Sequence, residues 1–140
     1  MTYRSARIRP STDADESVLF ALARGSFGGE REWNDRRTIS TIAADRVFVA
    51  ELDGHTAGFV ALEVEDDSVC IEQLLVAPEH EGEGVGRQLL DYAEGFAISL
   101  QARALQVVVE PTNRRARDFY SRRGFTPAGA DLLELTLPQA

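Results

Sequence analysis

Gly82, Gly84 and Gly86 alternate with Glu83 and Val85 between the apolar run Leu74-Leu75-Val76 and a stretch of helical spacing that starts near Val85. A helix start leaves backbone N–H groups unpaired, and the helix dipole adds roughly half a positive charge there. Glycines let that backbone approach a ligand without side-chain obstruction. Together these features suit a phosphate or pyrophosphate, held by amides rather than by side chains. The dinucleotide fingerprint Gly-x-Gly-x-x-Gly is not met, because its third position would be Arg87 or Leu89. A tight structural turn is the plainer reading of the same glycines. Further along, Phe119 and Tyr120 stand together. A phenol stays protonated at neutral pH and can donate a proton, although aromatics at helical spacing are more often core residues. His55 and His80 are not spaced as metal ligands. Cys70 reads as a small core residue and the two histidines as surface residues.

The elements that must hold these residues follow from punctuation and period. Tyr3 to Arg9 reads as a strand, and Pro10 to Asp13 as a helix start capped by Ser11 or Asp13. Val18, Leu19, Leu22 and Ala23 give that helix an apolar stripe. Gly25 to Asn34 breaks the pattern as a loop, and Asp35 to Ala44 reads as a second, weaker helix. Val47 to Ala50, His55 to Val64 and Ser68 to Val76 read as an antiparallel meander, with Asp53-Gly54 as a hairpin turn. Val85, Leu89, Leu90, Ala93, Ala97 and Leu100 then mark an amphipathic helix, and Leu105 to Val109 a buried strand. Strand, helix and strand in this order predict a parallel pair joined by a crossover. Asn113 to Arg123 is a last helix closed by Gly124, and Phe125 to Thr126 and Leu132 to Leu137 supply the remaining strand material. The expectation is a single α/β domain over residues 1–140, a mixed sheet with helices on its faces.

Composition excludes several classes. The net charge of −8 argues against nucleic acid, which needs clustered positive charge. It favours cationic small molecules weakly, through long-range steering. All 15 basic residues are arginine, so Schiff-base chemistry and a Walker A loop are excluded for lack of lysine. A single cysteine allows no internal disulfide. No apolar run reaches the roughly 20 residues of a membrane helix, and the first residues lack a secretory signal, so a cytoplasmic location is expected.

Taken in order along the chain, these marks resemble the GCN5-related N-acetyltransferase (GNAT) superfamily. The resemblance rests on Ile8-Arg9-Pro10, on Leu74 to Pro78, and on Glu81-Gly82-Glu83-Gly84-Val85-Gly86. It rests also on the strand Leu105 to Val109, and on Asn113, Ala116, Phe119, Tyr120, Gly124 and Phe125. It implies a mostly antiparallel sheet of six or seven strands with a splayed parallel pair, and about four helices. It implies acetyl-coenzyme A as cosubstrate, with no metal, and an amine acceptor of small-molecule or peptide type. Leu74, Leu75 and Val76 would then pair with the pantetheine arm. Amides of Glu81, Gly82, Glu83, Gly84, Val85, Gly86 and Arg87 would hold the pyrophosphate. Asn113 would reach the cofactor, cap its helix, or do both, and Phe119 would line the same cleft.

On the same resemblance Tyr120 would protonate the leaving thiolate, and Glu72 would take the proton of the incoming amine. Simple alternation groups Glu72 with Cys70 and Leu74, and Gln73 with Ile71 and Leu75; a bulge would reset that phase. Phe27 and Trp33 would line the acceptor pocket. Glu81 departs from the arginine or glutamine usual at its position, and Glu79 and Glu83 add charge beside it. Two such charges about 6 Å apart repel by roughly 3 kcal/mol at an effective dielectric near 20. Outward-pointing carboxylates and nearby arginines would resolve this. A module that senses acyl-coenzyme A without turning it over stays open as the alternative. A homodimer through the last strand is also expected to be possible.

Overall fold

The computed structural model describes residues 4–26 and 46–139. Seven strands form one sheet: β1 (Arg7–Pro10), β2 (Arg46–Leu52), β3 (His55–Val64), β4 (Ser68–Val76), β5 (Ala104–Val108), β6 (Thr126–Pro127) and β7 (Leu132–Thr136). Their order is β1-β2-β3-β4-β5-β7-β6. The helices among the described residues are α1 (Glu16–Ser26), α2 (Val85–Ser99) and α3 (Arg114–Ser121). The expected helix at Asp35 to Ala44 lies outside the described residues, as do Phe27 and Trp33.

The meander forms as its turns dictate. Asp53 and Gly54 both have positive φ, 52° and 79°, and join β2 to β3 with Leu52 opposite His55. This is the backbone twist that a two-residue hairpin needs. The first helix starts differently from expectation. Thr12 is the cap residue of the single 3-10 turn that leads into α1, and its N–H donates to the Asp15 carboxylate at 2.8 Å. Asp15 in turn takes two bonds from the Arg9 guanidinium, both 2.8 Å.

The two sheet faces bury separate clusters. Leu19 and Ala23 of α1, with Leu22 partly buried beside them, cover Val47, Val49, Phe59 and Ala61 on one face. On the other face Val85, Leu89, Ala93 and Ala97 of α2 cover Phe48, Val60, Leu62, Val69 and Ile71. Positions four apart stack along one side of a helix, which is why this period made the stripe. Val18 and Leu100, counted in the two stripes from sequence, stay exposed at 44% and 47%.

Two features of β4 open one end of the sheet. It runs parallel to β5, but only from Ser68↔Ala104 to Ile71↔Val107. The paired register ends at Ile71, and the edge of β4 from Gln73 to Val76 lies beyond it. At the same point β4 carries a bulge: Leu62 faces Ile71 and Ala61 faces Gln73, leaving Glu72 as the extra residue. The bulge resets the alternation. Leu74 and Val76 pack with Ile71 on the α2 face, while Leu75 packs on the α1 face. The grouping of Ile71 with Gln73 and Leu75 is thereby corrected. A one-residue insertion reverses every side chain after it.

Candidate active site

Where β4 and β5 part, a cleft of about 500 Å³ opens. One wall is Leu74 to Val76, the floor is the glycine loop with the start of α2, and the other wall is α3. It gathers Gly82, Gly84, Val85, Gly86, Arg87, Glu81, Asn113, Phe119 and Tyr120, all singled out from sequence. Glu72 precedes this wall by two residues and is half-buried at the bulge. Glu83 is in the loop, but its side chain is engaged elsewhere.

The loop backbone is built for close approach. Gly82 and Gly84 have φ of 79° and 87°, in the left-handed region that side chains avoid. A Cβ at Gly86 would lie 3.5 Å from Val76 and 3.6 Å from the Phe119 ring, so the helix start sits tightly between both walls. Among the described residues, the N–H groups of Gly82, Glu83, Gly84, Val85, Gly86 and Arg87 donate to no acceptor in hydrogen-bonding geometry. Five of these six residues, all but Glu83, line the cleft, and unpaired amides at a helix entry suit an anion.

The three loop acids do not spoil it. Glu83 accepts from Arg4 at 3.5 Å and meets His80 Nδ1 at 2.9 Å. The hydrogen bond from His80 is the main cause that holds its carboxyl below the ordinary value, with Arg4 adding to it. Glu81 pairs with Arg115 at 3.4 Å at the exposed rim, and Glu79 is exposed on the Pro78–His80 turn. Partners and solvent thus take up the charge, and the backbone stays available.

Sequence reasoning missed the residues that brace this loop. Gln88 donates to the Arg4 and Gly84 carbonyls at 2.6 and 3.1 Å and accepts from the Ala6 N–H at 2.8 Å. His80, read as a surface residue, lines the cleft. No spacing rule announces these partners, because Arg4 and Gln88 meet only through the folded sheet.

The α3 wall forms for local reasons. Asn113 caps the helix by accepting from the Ala116 N–H at 3.2 Å, and its side chain also borders the cleft. Ala116, Phe119 and Tyr120 then fall on one side at three- and four-residue spacing. Gly124, at φ 95°, ends the segment. Tyr120 is buried at 6% exposure, packed edge-on against Phe119 and Phe125, yet borders the cleft. Burial pushes its phenol well above the ordinary value, so it stays protonated. Arg123 lies 4.3 Å over the Phe119 ring and donates to the Phe119 carbonyl. Burial, and then Arg87, lowers its pKa. Cys70 is pushed up to about 12 by burial first and then by Glu72, Glu65 and Glu63, which makes it inert as a nucleophile.

Known proteins resemble this chain in sequence and in fold. The sequence model of the acetyltransferase (GNAT) family matches residues 16–125. A streptothricin acetyltransferase of Streptomyces lavendulae is 36% identical over 109 residues, 76% of this chain and 53% of that protein. An uncharacterised N-acetyltransferase of Archaeoglobus fulgidus is 38% identical over 84 residues, 55% of this chain and 57% of that one. The chain thus spans about half the length of the curated relatives it matches. The crystal structure of the PaiA N-acetyltransferase of Thermoplasma acidophilum, in complex with coenzyme A, superposes with a TM-score of 0.79. It is 20% identical and covers 95% of this chain and 99% of its own. The family model spans most of the chain and a solved fold shares its open sheet, so this chain belongs to the acetyltransferase (GNAT) family.

Proposed function

We propose that the chain transfers an acetyl group from acetyl-coenzyme A to a primary amine, directly, with both substrates bound together. The observation that carries this reading is the row of six undonated N–H groups from Gly82 to Arg87, set beside the unpaired edge of β4. A diphosphate fits the first and an extended amide chain fits the second, so one ligand carrying both is held along the cleft. Acetyl-coenzyme A supplies the activated thioester. Its carbonyl would lie near the Val76 backbone, where an N–H can stabilise developing negative charge.

Tyr120 would give its proton to the departing thiolate. Its buried, protonated phenol beside the cleft supports that role. Glu72, at the bulge, would receive the ammonium proton, directly or through water. Phe27 and Trp33 remain the proposed acceptor contacts.

The test is release of free thiol from acetyl-coenzyme A across a panel of primary amines, with Tyr120→Phe in parallel. Amine-dependent release that falls in the variant, while coenzyme A still raises its melting temperature, supports the reading. Binding without release from any amine leaves a sensor rather than an enzyme. No stabilisation at millimolar coenzyme A contradicts both.

A further inference from the structure

We propose that Gln73 reads the acceptor, pairing its carboxamide with an amide group that lies close to the reacting amine. The acceptor is then an aminoacyl amide, as in a peptide N-terminus or an aminoacylated small molecule, rather than a bare alkylamine or polyamine. This rests on the transferase reading above.

Gln73 follows directly on the bulge, at the start of the β4 segment whose edge β5 has left. Its cross-strand partner is Ala61. Directly opposed residues share a sheet face, and Ala61 belongs to the α1 side. Leu74 and Val76 belong to the other face. Gln73 therefore sits across the strand from them, one residue from the wall of the cleft, at a rise of about 3.3 Å per residue. Gln73 does not line the cleft, so an acceptor would reach it from the α1 face, displacing the apolar side chains that cover it there.

The side chain is 3% exposed, and neither its Oε1 nor its Nε2 has a hydrogen-bond partner among the described residues. Its neighbours along that face, Phe59, Ala61 and Leu75, carry no polar side-chain atoms. Burying both ends of an amide unpaired is unfavourable, so such a group persists where a partner arrives with a ligand. The type of partner follows from the inventory of atoms. A carboxamide presents one acceptor and two donors in a single plane. An ammonium would satisfy only the oxygen, and a carboxylate only the nitrogen. A second amide satisfies both at once. A site built for such a pair also rejects analogues that lack it, because its own polar atoms are then left stranded.

The experiment compares thiol release from acetyl-coenzyme A with glycinamide, a short peptide with a free N-terminus, and ethylamine, in the parent chain, in Gln73→Met and in Gln73→Glu. The parent is expected to favour the amides by about tenfold or more in kcat/KM. The preference of glycinamide over the peptide, or the reverse, identifies the source. Gln73→Met should bring the amide preference close to one through a higher KM for the amides, with the KM for acetyl-coenzyme A unchanged and the melting temperature equal or higher. Gln73→Glu, which keeps an acceptor and loses the donors, should lose the same preference. A variant that keeps the preference, or that lowers all amines equally, overturns the proposal. So does a parent that treats amides and ethylamine alike, even if Gln73→Met fails to fold. Release from no amine, with coenzyme A still stabilising the chain, overturns the transferase reading itself and this proposal with it.

Discussion

Burial first, and then Cys70, push the Tyr120 phenol in one direction. The apolar surroundings raise its pKa, and a raised pKa keeps the phenol protonated, as the proposed acid role requires. Tyr120→Phe is expected to lower kcat by about a hundredfold, with the KM for acetyl-coenzyme A little changed. Below about pH 10 no alkaline loss of rate should come from this residue, which a pH–rate profile of parent and variant would show. Asp15 is the opposite case. Hydrogen bonds from Arg9 lower its pKa from 3.8 to about 2. A lowered carboxylate stabilises fully above its unfolded value and loses that contribution as pH falls through the folded one. Asp15→Asn should therefore cost about 2 kcal/mol in urea melts at neutral pH, and the difference should vanish between roughly pH 4 and 2. The Asp15 pairing, the Gln88 brace and the Gln73 environment were not legible in sequence. Each joins residues by a fold-level contact that no local spacing encodes.

Among elements, the behaviour of β4 depends on close backbone approach. A Cβ at Gly58 would stand 2.4 Å from the Leu75 carbonyl and 3.2 Å from Leu89, so β3, β4 and α2 meet there without room for a methyl group. Gly58→Ala should destabilise the chain by about 1–3 kcal/mol and weaken coenzyme A binding by displacing the β4 edge. Thermal melts with and without ligand would separate the two effects. At the helix entry, Gly84→Ala forces a side chain into the left-handed region at roughly 1–2 kcal/mol. Calorimetric titration should show coenzyme A binding weakened by up to about tenfold. The existence of these elements was readable because turn residues and apolar periods agree. Asp53-Gly54, the helical stripes and the strand–helix–strand order are all present in the structure. The phase of β4 was not readable, because a bulge leaves no mark in the period that it breaks. The bulge lies where the parallel pair separates, so the sequence pattern fails at the edge of the cleft.

The whole molecule sets an acidic chain, at net −8, around a cleft proposed to take an anion. The two are compatible because the attraction would be local: glycine-loop residues and arginines line the cleft, while Glu83 meets Arg4 and His80, Glu81 meets Arg115, and Glu79 is exposed. Among the described residues no helix is long and apolar enough to cross a membrane. The last strand, expected to be free for pairing with a second copy, is β7, and it lies between β5 and β6. The two-residue β6 (Thr126–Pro127), which overlaps the strand material read at Phe125 to Thr126, occupies the sheet edge instead. The transferase reading stands or falls with the amides from Gly82 to Arg87. Amide NMR spectra recorded during titration with coenzyme A report on them one by one. Saturating shifts concentrated on Gly82, Gly84, Gly86 and Arg87, with smaller ones along Leu74 to Val76, are expected. Shifts centred elsewhere, or none at millimolar ligand, would overturn it.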